Sequence, residues 1–337
     1  MKNIRYFVVV MLLVVCMIGL FSVQSFSAEL PKGVRFASIS LGTTGYLVAS
    51  GVGNVMTKYS PIKVAVDPVG MHLAVIEMLE KKEADIGVMG TLDLAPYWRG
   101  EGPYKGKQQT VLAGMTTTRM FVVLHTTPRT GIKKVQDIRS RRLLADAVPS
   151  PAVAVFSDAL LQAHGMSRKD VNWMRYSKMG DAVAAITEGR ADAVCYPSSS
   201  GPMQSLKLGP GYYPVPIEPE PAKKMIQTVL GTTYESMPKG YNAVVEKDTP
   251  TLAYYTTIIF RKDLSEDIVY TLVKAALEHK EEYGKVHPLL QEVDAKRAAK
   301  IVGVAFHPGA IKYFKEIGVW TSEHEKENKE ILTKYGR

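Results

Sequence analysis

The chain is poor in cysteine. Of its 337 residues only two, Cys16 and Cys195, carry a thiol. Cys16 lies in an N-terminal segment that reads as removable, so no internal disulfide is expected and stability has to come from a packed core. Cys195 sits in an apolar run and reads as a small core residue, not a reactive thiol. The seven histidines make no HxH, HExxH or Cys–His pairing, which leaves a metal site without local support. There is no GxSxG elbow, no Walker loop and no GxGxxG fingerprint. Long single-sign charge runs are missing too. The net charge of +9 comes from 42 basic and 33 acidic residues, and its densest clusters, Lys133-Lys134 and Arg139–Arg142, lack interleaved aromatics. Nucleic acid is therefore not an expected partner, and no cofactor is expected.

What is present begins at the N-terminus. Lys2 and Arg5 precede an apolar run, Tyr6–Val23, and then the small residues Ser25, Ser27 and Ala28. A positive region, an apolar region and small residues make a signal peptide over 1–28, with cleavage after Ser27 or Ala28 and export to the periplasm. A retained anchor is the alternative, since the run is nearly long enough to span a bilayer, but no basic stop-transfer cluster follows it.

The rest alternates strands and helices. Val34–Ile39 reads as a strand, Gly42–Gly45 as a glycine turn, and Val48, Val52, Val55 and Met56 as the buried stripe of a helix. Strand–helix units recur at 62–89 and 143–196. Leu79–Val88 and Ile186–Val194 echo each other: helix end, polar turn, Ala-Asp, buried strand. Two α/β lobes of related design follow from this. Residues 29–125 with 252–337 form the first and 126–251 the second, joined by crossing strands at 120–124 and 253–260. Residues 91–106 and 197–221 read mainly as loops. Val155, Ala159, Leu160 and Ala163 are taken as the inward face of one helix, and Ile331 and Leu332 as the anchors of the last. His307, ahead of Pro308, reads as a helix cap.

In open α/β sheets ligands sit beyond the carboxyl ends of strands, where the strand-to-helix loops converge. Those loops supply the candidate ligand contacts Ser40, Thr43, Thr44, Gly45, Tyr46, Gly70, Met71, His72, Thr91, Ser150, Tyr196, Ser198 and Ser199. Rich in hydroxyls and poor in acids, they suit a small carboxylate. Arg119 is the candidate counter-charge, able to grip a carboxylate with two bonds. Catalytic residues are not expected.

The segment HPGAIKYFKEIGVW, His307–Trp320, together with Phe260–His279, MPKGY at 237–241 and both Ala-Asp units, resembles the TAXI-type solute receptors of tripartite ATP-independent periplasmic (TRAP) transporters. The resemblance covers essentially the whole mature chain. It implies a two-lobed periplasmic-binding-protein fold of type II, hinged at two crossing strands with the ligand cleft between lobes. It also implies a monomer that hands a small organic anion to an ion-driven membrane permease. The ligand loops depart from the family pattern. Leu47 and Val48 stand where a tyrosine pair is usual, Gly70-Met71 with Ala74 replaces a Gly-Ser with a later Asn, Met89-Gly90-Thr91 replaces a Gln-Ser type loop, and Pro149-Ser150-Pro151-Ala152 replaces Gly-Ser-Gly-Thr. Hydroxyls and amides are lost and apolar bulk is gained. The expected cargo is a carboxylate less polar than glutamate, aromatic or branched, with Tyr46, Met71 and Tyr196 as apolar wall. Two other readings stay open: a sensing partner of a membrane signalling protein, and an exported enzyme.

Overall fold

The computed structural model describes residues 30–107, 109–148, 150–198 and 202–336; the expected signal peptide lies outside them. Ten strands form one mixed sheet in the order β2-β1-β3-β10-β4-β7-β5-β6, with β8 paired to β4 and β9 to β10. In chain order the elements are β1 (Gly33–Ile39), α1 (Thr44–Tyr59), β2 (Lys63–Gly70), α2 (His72–Glu80), β3 (Ile86–Gly90), α3 (Thr91–Arg99), β4 (Val111–Thr126), β5 (Arg142–Ala147), α4 (Ala152–Ala163), β6 (Asn172–Tyr176), α5 (Met179–Thr187), β7 (Ala193–Pro197) and α6 (Met203–Leu208). Then come β8 (Tyr213–Val215), α7 (Pro219–Thr228), β9 (Thr232–Met237), β10 (Thr249–Arg261), α8 (Glu266–Glu278), α9 (Lys280–Gly284), α10 (Pro288–Gln291), α11 (Ala295–Ala298), α12 (Pro308–Glu316) and α13 (Ser322–Tyr335). From Pro31 onward the chain packs as one compact unit. Among the described residues no helix is long and apolar enough to cross a membrane.

The sheet has two parallel flanks, β2-β1-β3 and β7-β5-β6, each opening on the same plan: a first strand, an edge strand beside it, and a third strand on its other side. The echo in the sequence is the visible part of this. The Asp85 carboxylate accepts the backbone N–H of Arg35, and the Asp85 N–H donates to the Arg35 carbonyl, both at 2.9 Å. Asp192 makes the same two bonds with Arg142, also at 2.9 Å. Each Ala-Asp turn thus ties the start of the third strand to the start of the first.

Between the flanks run β4 and β10, antiparallel and long. Both are apolar and β-branched over most of their length and buried on both faces, as central strands require. The two runs read separately in 110–125 are one strand. Tyr254 pairs with Met120 and Tyr255 with Arg119.

Several expectations change. Residues 91–99 are helical although Pro96 lies within them. Proline at that position forgoes one backbone bond, and burial of Leu92, Leu94, Tyr97 and Trp98 offsets the loss. The 197–238 region carries α6, β8 and β9 among its turns. In α4 Ala159 and Leu160 face inward as expected, joined by Val153, Phe156 and Leu161, while Val155 faces solvent. The C-terminal helix is pinned by Asn328, whose side-chain oxygen accepts the Phe306 N–H at 2.7 Å, not by Ile331 or the exposed Leu332. His307 caps α12 as expected, accepting the Gly309 N–H at 3.2 Å.

Candidate functional site

A cavity of about 550 Å³ lies where the carboxyl ends of the parallel strands meet. Its first wall is the turn after β1. Gly42 holds φ +77 there and Gly70, at the end of β2, holds φ +101, backbone that a side chain would strain. The hydroxyls of Ser40 and Thr43 are used within the wall: Ser40 donates to the Gly70 carbonyl at 3.0 Å, and Thr43 to the Ser40 carbonyl at 2.6 Å. The Thr43 oxygen also accepts the Tyr46 N–H at 3.2 Å, which caps α1. What the turn offers a ligand is therefore backbone N–H groups and oxygen lone pairs.

Asp93 sits beneath this wall with its side chain almost fully enclosed. One of its oxygens takes His72 Nδ1 at 2.8 Å and the Ser150 hydroxyl at 3.0 Å. Ser150 precedes α4 on the opposite flank, so the contact reaches across the cavity. Ser150 and His72 both bond to the same Asp93 oxygen, so the Ser150 hydroxyl donates to a carboxylate and not to an imidazole.

The second flank contributes Ser177, Lys178, Met179 and Gly180 at the start of α5, and Tyr196 and Pro197 at the end of β7. Among the described residues Lys178 is the only lysine or arginine that lines the cavity, and it is exposed there. His125 fixes the Tyr196 end from behind. Its Nε2 donates to the Tyr196 carbonyl at 2.8 Å, and Nδ1 accepts the Tyr212 hydroxyl at 2.9 Å. Burial pushes the His125 imidazole down to about 4, so it is neutral. The floor is Met120, Tyr254 and Thr256 from the crossing strands, with Met89 and Leu92 beside it.

The N-terminal ends of α1 to α5 all face this space, and three of them, α1, α2 and α4, have no acidic residue in the first turn. Each end carries partial positive charge and unpaired N–H groups. Together with Lys178 they bring positive charge, partial and full, to one side of a cavity whose floor is largely apolar.

Eight expected contacts line the cavity: Ser40, Thr43, Thr44, Gly45, Gly70, His72, Ser150 and Tyr196. Five do not. Thr91 is spent inside the protein, donating to the Gly231 carbonyl at 2.5 Å and accepting the Tyr255 N–H at 3.0 Å. Ser198 is buried against Met237. Tyr46 and Met71 stand outside the lining, with Met71 turned to solvent. Arg119 is the main correction: strand pleating sends Met120 into the cavity and Arg119 to the far side. There it binds Glu235 at 3.0 Å. Burial opposes the charge on Glu235, yet bonds from Tyr255, Thr233 and Arg119 hold its carboxyl below the usual range. Ser199 lies outside the described residues. Asp93 and Lys178 were missed; both are charged residues in the first turn or at the cap of a helix that directly follows a parallel strand, which is the signal that would have found them.

Residues 36–318 match the NMT1-like family. The chain belongs to that family. Solved structures similar to this NMT1-like protein include one described as a periplasmic transporter (14% identity, TM-score 0.54, covering 91% of this chain and 98% of that one). A Xanthomonas citri protein solved with ATP bound is similar at 9% identity and TM-score 0.52, covering 90% and 100% of the two chains. A TctC solute-binding protein from Polaromonas is similar at 10% identity and TM-score 0.51, covering 91% and 99%. At these identities the likeness is one of fold: the NMT1-like chain has the mixed α/β architecture of periplasmic binding proteins.

Proposed function

We propose that this protein is an extracytoplasmic solute receptor of the TAXI type. It binds an organic anion with an aromatic or branched apolar body between lobes 29–125/252–337 and 126–251, and it delivers this cargo to a TRAP-type permease. The observation that carries the reading is the convergence of five helix N-termini and Lys178 on a cavity whose floor is Met120, Tyr254 and Leu92. The anionic group belongs at the helix ends, the apolar body on the floor. A volume of about 550 Å³ gives room for more than a small amino acid. The Ser150–Asp93 bond supports a receptor over a hydrolase, because the hydroxyl is turned to Asp93 and not to the histidine that a serine hydrolase triad uses. Export through the 1–28 segment and closure of the lobes about β4 and β10 complete the proposal.

A thermal-shift screen of carboxylates tests it. Aromatic and branched carboxylates should raise Tm in proportion to the logarithm of concentration above Kd, and glutamate should do so less. A glutamate response equal to or larger than theirs overturns the cargo assignment, and no response to any carboxylate overturns the receptor reading.

A further inference from the structure

Behind the crossing strands, on the side turned away from the cleft, lies a second cavity of about 820 Å³. Arg119 and Tyr255, opposite each other in the β4–β10 pairing, line it, while their neighbours Met120 and Tyr254 line the first. Its other walls come from β9, through Glu235, and from the C-terminal segments, through Lys296, Arg297, Lys300 and His324.

The acids around it are mostly committed. Glu235 accepts Arg119 Nη1 at 3.0 Å and the hydroxyls of Tyr255 and Thr233 at 2.7 Å each. Glu292, beside the cavity, takes Arg297 Nη1 at 2.8 Å and faces Arg119 Nη2 at 3.7 Å. The cationic donors are not used up. Lys296 is exposed and has no carboxylate within 4.0 Å among the described residues. Lys300 gives one proton to the Tyr255 hydroxyl at 2.6 Å and lies 3.6 Å from Glu235, which leaves further N–H groups to offer. His324 accepts the Thr321 N–H at Nδ1, 3.3 Å away, so its proton is on Nε2 and available. Arg119 Nε, at the cavity's inner edge, has no hydrogen-bond partner. Against these stands one lining acid outside any ion pair among the described residues, Glu327.

We propose that this cavity is a second anion site, separate from the cleft, which takes a small multivalent oxyanion on Lys296, Lys300 and His324. Three donors on two segments, with Arg119 adding positive field from below, suit a ligand with several acceptor oxygens better than a single carboxylate. The site does not depend on the cargo assigned to the cleft.

The test is a titration of the exported chain with citrate and, separately, with inorganic phosphate. Tm and calorimetric heat are followed at constant ionic strength set with potassium chloride. Citrate should give a saturable response, with phosphate weaker. Lys296→Glu, at an exposed position with no partner to lose, should weaken the citrate response at least tenfold, with Lys296→Gln in between. Lys285→Glu, at an exposed lysine that lines neither cavity, should leave it unchanged. Absence of a saturable response at constant ionic strength overturns the proposal, as does a response that survives Lys296→Glu in a chain with unaltered circular dichroism. Loss of the response in Lys285→Glu would reduce it to an effect of net charge and overturn it equally.

Discussion

Asp93 and Ser150 meet at 3.0 Å across the cavity, one from the first turn of α3 and the other from the residues before α4. They stand on different flanks of the sheet and 57 positions apart. The bond joins the two flanks, and in the hinge motion proposed above it would act as a latch. A hydrogen bond to a charged, enclosed acceptor contributes about 1.5–3 kcal/mol. Ser150→Ala should therefore shift the unliganded protein toward a more open form, seen as a larger radius of gyration in small-angle scattering. Unchanged scattering would remove the latch.

Lys178→Ala should weaken binding of an anionic cargo by about tenfold, or 1.4 kcal/mol, at low salt. The side chain is exposed, so the difference should shrink as salt is raised past about 0.15 M. An effect independent of salt, or no effect, would remove Lys178 as the counter-charge.

Two buried histidines set an acid limit. His125 and His307 are both pushed down to about 4 by burial. In the unfolded chain each titrates near its ordinary value of about 6.5, so between that pH and 4 the unfolded state binds protons that the folded state does not. Stability is full above about 6.5 and falls with decreasing pH, by about 3 kcal/mol for each histidine at pH 4. Tm measured from pH 7.5 to 4.5 should fall, and His125→Gln should flatten the decline. A Tm that holds steady over that range would contradict the assignment.

Gly114→Ala should destabilise the protein by about 1–3 kcal/mol or more through overpacking. A methyl group there would stand 2.1 Å from the ring of Phe260, which is fully buried on the partner strand. Urea denaturation of the variant checks this, and a midpoint equal to the parent's would show that the ring gives way without cost.

Cys195 should be inert in the native state. It is fully buried, and burial pushes its thiol up to about 12. A colorimetric thiol reagent should find essentially no reactive group until denaturant is added; rapid labelling of the folded protein would refute the prediction.

The paired Ala-Asp turns were readable because they are local: a helix end, a polar turn and a buried strand leave the same trace wherever they occur. The glycine turn after β1 was readable for the same reason, since Gly42 and Gly70 hold backbone that other residues avoid. Which face of a central strand looks into the cavity was not. Met120 and Arg119 lie in a strand buried on both sides, where alternation of polar and apolar residues, the usual guide, is weak. Asp93 was hidden by Pro96 and the glycines beyond it, which read as loop until tertiary burial of Tyr97 and Trp98 is known. Thr91 and Ser198 failed for a third reason: a hydroxyl's availability depends on bonds to residues far along the chain, such as Gly231 and Met237.

The pleat of β4 and β10 has a consequence for how such a protein can change over generations. Met120, Tyr254 and Thr256 look into the cleft, while Arg119 and Tyr255, interleaved with them, hold the ionic network behind. Substitutions in the first set can reshape the cleft without touching the second. Change on one face of these strands can thus accumulate while the ionic network on the other face stays intact.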